Sequence, residues 1–181
     1  MFDTESVLDV SDVSGANVAW LKEDLGLAAV GGSKWLLAGG HRPLFCTNGG
    51  YGSSNKDCHG MAKILQEQVQ DVFAGVDVVL GSHMHGYERT AAIRNGTAVP
   101  SNGTASTGAP VYIVNGAGGN REGNDNPRGD APWSAPGAHF GQIGYGLMTL
   151  VAGEAAGASS LVYQFIDSAN GTVLDTLTIT K

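Results

Sequence analysis

The stretch that most constrains the fold is "GMAKILQEQVQDVFAGVDVVL", residues 60–80, in which a helical pattern runs directly into an apolar strand. Apolar side chains recur there at helical spacing and predict one buried helix face, formed by Met61, Ile64, Leu65, Val69, Val72 and Phe73. Gly75 would end this helix, and residues 76–80 predict the next buried strand. A helix that leads straight into a buried strand is a unit of a layered α/β fold.

A similar unit precedes this one. "NVAWLKEDLGLA" predicts a helix with Asn17 as its cap and with apolar positions at Val18, Leu21, Leu25 and Leu27. "KWLLAGG", residues 34–40, predicts a short buried strand, while the residues up to about Ser14 predict an extended, polar lead-in. Two helix–strand units in succession predict parallel pairing of their strands.

The last third of the chain has a different pattern. "APVYIVNGAGG", "YGLMTLVAG" and "SSLVYQFIDSANGTVLDTLTIT" are strand-like, and "LVYQFID" alternates in polarity. Asn170 and Gly171 supply the turn chemistry of a hairpin near the carboxyl terminus. These segments predict an antiparallel continuation of the sheet, so the fold class is α/β with a mixed sheet and C-terminal antiparallel strands.

Composition excludes several partners. The 181 residues suit one domain, residues 1–181, with a substantial core. The net charge is -7, and the 10 lysines and arginines are scattered, which argues against nucleic acid or an anionic membrane as a partner. No apolar run approaches the roughly 20 residues that span a bilayer. Much of the glycine lies in long loops, where binding residues tend to occur.

Two features favour an oxidising compartment. A disulfide between Cys46 and Cys58 would close a short loop, although two free thiols are the alternative. Three Asn-Gly-Thr glycosylation sequons begin at Asn95, Asn102 and Asn170. Together these features predict a secreted, extracellular or vacuolar-lysosomal glycoprotein.

Histidines follow both strands of the predicted parallel sheet. His41 comes directly after residues 34–40, and His83 and His85 come directly after residues 76–80. Ligands of open α/β sheets bind outside the carboxyl ends of the strands. In an extended segment, residues two apart point to the same side, so His-x-His predicts a clamp for Zn, Fe or Mn. The alternative is that these histidines are loop residues without a role.

"GSHMHGYERT" resembles the His-x-His-x-Tyr-Glu-Arg signature of purple acid phosphatases, within the calcineurin-like metallophosphoesterase superfamily. The resemblance extends to "WLLAGGHRPLFCTN", "DCHGMAKIL", "VYIVNGAGGNREG" and "PWSAPGAHFGQIGYGLMTL", and thus covers nearly the whole chain. It implies half of the α/β/β/α sandwich of that superfamily. It also implies an acid phosphatase that hydrolyses phosphate monoesters at a binuclear centre of Fe(III) plus Zn, Mn or Fe(II).

The resemblance also implies roles for individual residues. His41 and His83 correspond to ligands of the divalent metal, and His85 corresponds to a ligand of the ferric ion. His59 is similar in position to a histidine near the substrate phosphate and would be catalytic. The three residues that follow the histidine motif would support its loop, and they are Tyr87, Glu88 and Arg89.

The chain departs from the family in lacking three earlier motifs. Gly-Asp-x-Gly, Gly-Asp-x-x-Tyr and Gly-Asn-His-Asp/Glu, which supply the carboxylate and other ligands in the family, do not occur in it, and its one Gly-Asp ends at Asp130. The resemblance therefore implies the second half of the catalytic domain, which would need the first half. We expect the chain alone to bind metal weakly, to hydrolyse phosphate esters poorly and to expose an apolar sheet or edge.

Two other functions stay open at this point. One is a non-catalytic, secreted binding domain that has lost its first half but kept the remaining residues. The other is a phosphodiesterase or nucleotidase of the same superfamily. The retention of all three histidines favours an enzyme, and the Tyr-Glu-Arg after His85 favours the acid phosphatases.

Overall fold

The computed structural model of the protein describes residues 1–8, 15–100, 105–151 and 158–181. Its strands form a six-stranded mixed sheet and a three-stranded antiparallel sheet, which confirms the predicted α/β class. The strands are β1 (Leu37–Gly39), β2 (Val78–Gly81), β3 (Tyr87–Arg94), β4 (Thr97–Ala98), β5 (Val111–Asn115), β6 (Ser134–Phe140), β7 (Gly144–Val151), β8 (Ser160–Asp167) and β9 (Val173–Thr180). The α-helices are α1 (Thr4–Leu8), α2 (Ala16–Val30) and α3 (Ala62–Val69).

The mixed sheet brings the ends of the two predicted parallel strands together. Its order is β1-β2-β5-β3-β4, with β6 beside β3, and β2 pairs in parallel with both β1 and β5. Val78 and Val79 of β2 are both buried, as expected for a strand that is covered on both faces. Because β1 and β2 run in the same direction, their carboxyl ends lie side by side, and the loops that follow them start at the same end of the sheet.

The helix between β1 and β2 changes its geometry twice. Residues Lys56–Met61 form a π-helical turn, α3 follows, and Gln70–Phe73 form a 3₁₀ turn. The buried stripe consists of Leu65, Val69 and Phe73, each four residues from the next. The prediction that Ile64 lies on this face is wrong, since its side chain is 43% exposed.

The predicted amino-terminal lead-in is wrong for its first residues, because Thr4–Leu8 form the short helix α1. The side chain of Asp3 caps it by accepting a hydrogen bond from the backbone amide of Ser6 at 3.3 Å. Asn17 does not cap the next helix, because α2 begins at Ala16 and Gly15 occupies the cap position. Instead, the Asn17 amide donates to the Ser6 hydroxyl at 3.0 Å and so joins the two helices.

The C-terminal strands form the second sheet in the order β7-β8-β9. The predicted hairpin is confirmed, since β8 and β9 pair antiparallel and Gly171 takes a left-handed conformation at their turn, with φ 76°. Strand β7 lies at the edge of this sheet and keeps four large apolar side chains about half exposed, namely Tyr145, Leu147, Leu150 and Val151. An exposed apolar edge of this kind was expected from the sequence.

An ion pair joins the two sheets. Arg89 of β3 donates to both carboxylate oxygens of Asp175 in β9, at 2.6 and 2.9 Å, and the Tyr87 hydroxyl donates to Asp175 at 2.7 Å. The Tyr87 ring also stacks on Phe165, with ring centroids 4.1 Å apart. Burial opposes ionisation of Asp175, but the hydrogen bonds and charge of Arg89 outweigh it and lower the pKa of this carboxyl.

Candidate metal centre

His41 and His83 contact one another at the carboxyl ends of β1 and β2. The Nδ1 atom of His83 lies 3.1 Å from the Nε2 atom of His41, and the two rings meet edge to face. The backbone amide of Ser82 donates to the carbonyl of His41 at 2.9 Å and so holds the two loops together beyond the strands. Parallel pairing of β1 and β2 therefore brings together two histidines that lie 42 residues apart in sequence.

The histidine loop is a tight turn, so the prediction that His83 and His85 lie in an extended segment is wrong. His83 has φ 58°, a left-handed conformation that costs a residue with a side chain about 1–3 kcal/mol. The amide of Met84 donates back to the carbonyl of Ser82 at 2.6 Å. A Cβ atom at Gly116 would clash with the carbonyl oxygen of Met84, so glycine at that position lets β5 approach the loop.

His85 lies on the same loop but has different neighbours. Its Nδ1 atom is 3.9 Å from the carboxylate of Glu122, a largely exposed side chain. The carboxylate of Asp125 accepts the backbone amide of His85 at 2.7 Å and the side-chain amide of Asn48 at 2.8 Å. Sequence reasoning did not single out Asp125. Its position in a long glycine-rich loop that follows a buried strand was the only signal that could have found it.

All three histidines line one open cleft of about 580 Å³. Carboxylates border the same space, and they come from Asp57, Glu122 and Asp125. The structure thus brings His41, His83 and His85 to one cleft, together with acidic side chains from the π-helical turn and from the loop after β5.

The nitrogen pair fits part of a metal site. Ligand nitrogens on one tetrahedral ion, each about 2.0–2.1 Å from it, lie about 3.3 Å apart, close to the separation between His83 Nδ1 and His41 Nε2. Neutral imidazoles also suit Zn, Mn and Fe. Within the described ranges, however, no three His, Cys, Asp or Glu side chains converge on one point where they could hold an ion. The donors present therefore fit one side of a metal site.

His59 does not line this cleft. Its Nε2 atom lies 2.9 Å from the carbonyl oxygen of Gly50, and its ring packs near that of Tyr51. Both contacts lie in the loop that precedes the π-helical turn. Its catalytic role stays a prediction.

The Cys46 and Cys58 sulfurs form a disulfide beneath the histidine loop. Both residues are buried, and they cluster with Met84 and Val114. Met84 stands between His83 and His85 in the sequence, so the disulfide packs directly against the turn that carries both histidines. Among the three sequons, Asn95 and Asn170 lie exposed at turns, and Asn102 lies outside the described residues.

Glu88 is a buried acid behind the cleft, on the face of β3 opposite to Tyr87 and Arg89. Its carboxylate accepts the backbone amide of Thr47 at 2.8 Å and the hydroxyl of Thr47 at 2.7 Å. Burial raises the pKa of Glu88 to about 7, although the two bonds from Thr47 oppose the shift. Glu88 therefore ties β3 to the loop after β1 and does not touch the histidines directly.

The raised pKa of Glu88 predicts that stability falls as the pH rises from about 4.5 to about 7. The folded state holds this proton more tightly than the unfolded state, whose pKa is near 4.5, so the stabilisation is complete below that value and lost above about 7. The shift corresponds to roughly 3 kcal/mol. In urea denaturation at several pH values, Glu88→Gln should remove this decline, whereas Glu122→Gln should retain it. Identical pH profiles for Glu88→Gln and the unaltered chain would contradict the prediction.

Sequence comparisons identify relatives of the chain. Residues 109–176 match a family model described as iron/zinc purple acid phosphatase-like protein C. Acid phosphatase A of Cryphonectria parasitica is 30% identical over 168 residues, which cover 93% of this chain and 31% of that protein. Purple acid phosphatase 18 of Arabidopsis thaliana is 36% identical over 58% of this chain and 21% of that protein. Human acid phosphatase type 7 is 28% identical over 90% of this chain and 38% of its own length.

A solved structure has a similar fold. The purple acid phosphatase PPD1 from yellow lupin (Lupinus luteus) seeds superposes with a TM-score of 0.60 over 81% of this chain and 25% of that chain, at 22% identity. The chain thus spans less than two fifths of the length of each of these relatives. Together, the sequence matches and the shared fold place the chain among the relatives of the purple acid phosphatases, the family that its histidine motif indicated.

Proposed function

We propose that residues 1–181 are a single partial domain that supplies one side of the active site of an acid phosphatase, a hydrolase of phosphate monoesters. The observation that carries this proposal is the contact between His41 and His83 at the ends of neighbouring parallel strands, 3.1 Å apart, in a chain related to acid phosphatases. Two strand-end histidines that meet in an open cleft have the chemistry and spacing of metal ligands.

The centre that we propose is binuclear. His41 and His83 would hold a divalent ion, Zn, Mn or Fe(II), and His85 would hold Fe(III). Such a pair of ions polarises a phosphate ester and lowers the pKa of a bound water. The bridging carboxylate and the remaining ligands would come from a segment outside this chain, since the motifs that carry them in the family do not occur here.

The chain's own residues would support this centre by holding its ligands. Asp125 fixes the backbone of His85, and the disulfide packs under the turn between His83 and His85. His59 would contact the substrate phosphate.

The disulfide and the sequons support a secreted or vacuolar-lysosomal location, and the net charge of -7 disfavours nucleic acid and anionic membranes as partners. Among the described residues, no helix has the length and apolarity to cross a bilayer.

The test of this function is a chimera in which the chain replaces the matching segment of acid phosphatase A from Cryphonectria parasitica. We expect the chimera to hydrolyse an aryl phosphate monoester, and His83→Ala in the chimera to reduce turnover at least about a hundredfold. Hydrolysis of the monoester should exceed that of the matching diester. A chimera that melts cooperatively but hydrolyses neither ester would overturn the proposal and would favour a non-catalytic domain.

The isolated chain should be a poor enzyme. With imidazole ligands from one side only, we expect its turnover of an aryl phosphate, with Zn²⁺, Mn²⁺ or Fe supplied, to stay below about 1% of that of acid phosphatase A. A parallel assay of both proteins at acidic pH measures this ratio. Turnover near that of the fungal enzyme would show that no further segment is needed.

A further inference from the structure

Thr47 is a polar residue whose side chain is completely buried behind the cleft. It lies between Cys46 and Asn48 in the loop after β1, and its exposed fraction is 0%. A hydroxyl that is removed from water needs hydrogen-bond partners within the protein. The partners of Thr47 therefore show which segments its hydroxyl joins.

The hydroxyl of Thr47 uses its full hydrogen-bonding capacity, which is one hydrogen to donate and two lone pairs that accept. The backbone amides of Arg128 and Gly129 donate to its Oγ1 atom at 3.1 and 2.8 Å. Because amides can only donate, they occupy both lone pairs, and the hydroxyl hydrogen goes to Glu88 Oε1 at 2.7 Å. The backbone amide of Thr47 donates to the other Glu88 oxygen at 2.8 Å without involving the hydroxyl. The hydroxyl thus joins β3 to the loop after β5.

The loop that these amides anchor also carries Asp125, which contacts both backbone groups of His85. The carboxylate of Asp125 accepts the amide of His85 at 2.7 Å, and the amide of Asp125 donates to the carbonyl of His85 at 2.8 Å. Pro127 of the same loop is buried and forms an antiparallel bridge with Asn48, the residue after Thr47. The loop after β5 therefore connects the Thr47 hydroxyl to the backbone of His85.

The loop after β5 also packs closely against the histidine turn. A Cβ atom at Gly86, the residue after His85, would lie 3.0 Å from Pro127 Cδ and 3.3 Å from the carbonyl oxygen of Asp125. Closely packed segments transmit small displacements to one another. A shift of this loop would therefore move the backbone that carries His85.

The contacts of His41 and His83 come from other parts of the fold. The amide of Ser82 donates to the carbonyl of His41 at 2.9 Å, at the ends of β1 and β2. Asp57 contacts the His83 ring at 3.2 Å from the π-helical turn. We therefore expect these two histidines to keep their places when Thr47 is altered.

We propose that Thr47 is a positioning residue for His85: its hydroxyl anchors the loop after β5 to Glu88 and so holds Asp125 against the backbone of His85. Residues that hold a metal ligand in place without touching the ion affect its binding through the geometry of that ligand. The consequence for the ferric ion rests on the proposed function, whereas the effect on the backbone of His85 concerns the metal-free chain alone.

The test compares Thr47→Val with Thr47→Ser. Valine has the shape of threonine but carries a methyl group in place of the hydroxyl, whereas serine keeps the hydroxyl. Hydrogen exchange of the metal-free chain, followed by NMR, measures the opening of single backbone amides. We expect the His85 amide to exchange at least about tenfold faster in Thr47→Val, because its acceptor Asp125 is no longer fixed, and within about threefold of the unaltered rate in Thr47→Ser. The Ser82 amide, which donates to His41, should keep its rate in both variants.

Zn²⁺ titration of the same variants gives the second measurement. We expect Thr47→Val to leave the affinity of the His41 and His83 pair within about twofold, since neither ligand is altered. A general loss of structure would instead weaken Zn²⁺ binding and accelerate both amides. Equal acceleration of the His85 and Ser82 amides in Thr47→Val would overturn the proposal, and so would unchanged exchange of both.

Native-state exchange of the unaltered chain in low concentrations of urea decides the matter if Thr47→Val does not fold. The amides of His85, Arg128 and Gly129 should open together, with one urea dependence that is smaller than that of global unfolding, because one hydroxyl anchors them. A separate opening of His85, or opening of all three only with global unfolding, would contradict the proposal. Absence of Zn²⁺ binding in the unaltered chain would count against the proposed function, while the exchange rates would still decide the role of Thr47.

Discussion

Replacing Asp175 by alanine should lower the free energy of unfolding by about 3–5 kcal/mol, because it leaves a largely buried guanidinium without its partner. Asp175 accepts two hydrogen bonds from Arg89 and one from Tyr87, and these bonds join β9 of the C-terminal sheet to β3 of the mixed sheet. Both side chains of the ion pair are largely shielded from water. Urea denaturation followed by circular dichroism measures the change.

The matched control for Asp175 is an exposed ion pair. Lys63 and Glu67 lie four residues apart on α3, 4.0 Å from each other, and both side chains are largely exposed. Because such pairs contribute little, Glu67→Ala should change the free energy of unfolding by no more than about 0.5 kcal/mol. Equal losses for Asp175→Ala and Glu67→Ala would mean that the Asp175 contacts do not hold the two sheets together.

Removal of the disulfide should cost about 3 kcal/mol, the value expected for a cross-link that closes a loop of this length. Cys46 and Cys58 are 12 residues apart, and the bond closes the loop that carries Thr47 and Asp57. We expect the double variant Cys46→Ala, Cys58→Ala to unfold at a lower urea concentration and to be insensitive to reductant. The unaltered chain should shift to a similar midpoint when dithiothreitol is added. A midpoint that neither change moves would contradict this prediction.

The position of the histidines could be predicted from the sequence because it depends on local patterns. Apolar runs followed by glycine and histidine place His41 and His83 at strand ends, and the parallel pairing of β1 with β2 makes those ends neighbours. The resemblance to the family assigned His83 and His85 to different metal ions. The structure places both residues on one turn, where their side chains have different neighbours.

Other features could not be predicted because they depend on contacts between distant segments. The left-handed conformation of His83 has no signal in a motif that also suits an extended strand. The partners Asp57 and Asp125 reach the histidine loop from 26 and 40 residues away. Helix α1 was missed because five residues are too few to show a helical period.

The roles of Tyr87, Glu88 and Arg89 follow from the alternation of side chains along β3. Residues two apart point to the same face of a strand, so Tyr87 and Arg89 both reach Asp175 in the other sheet, while Glu88 points to Thr47. The resemblance to the family implied that these residues support the histidine loop. In the structure, Tyr87 and Arg89 instead join the two sheets, and Glu88 contacts the loop after β1.

The most direct test of the half-site is a calorimetric titration of the isolated chain with Zn²⁺. We expect weak binding of a single ion that is lost in His41→Ala and in His83→Ala and is retained in His139→Gln, a control histidine outside the residues that line the cleft. Tight binding of two ions would show that the chain carries a complete centre. Equal binding in all the variants would show that His41 and His83 are not metal ligands.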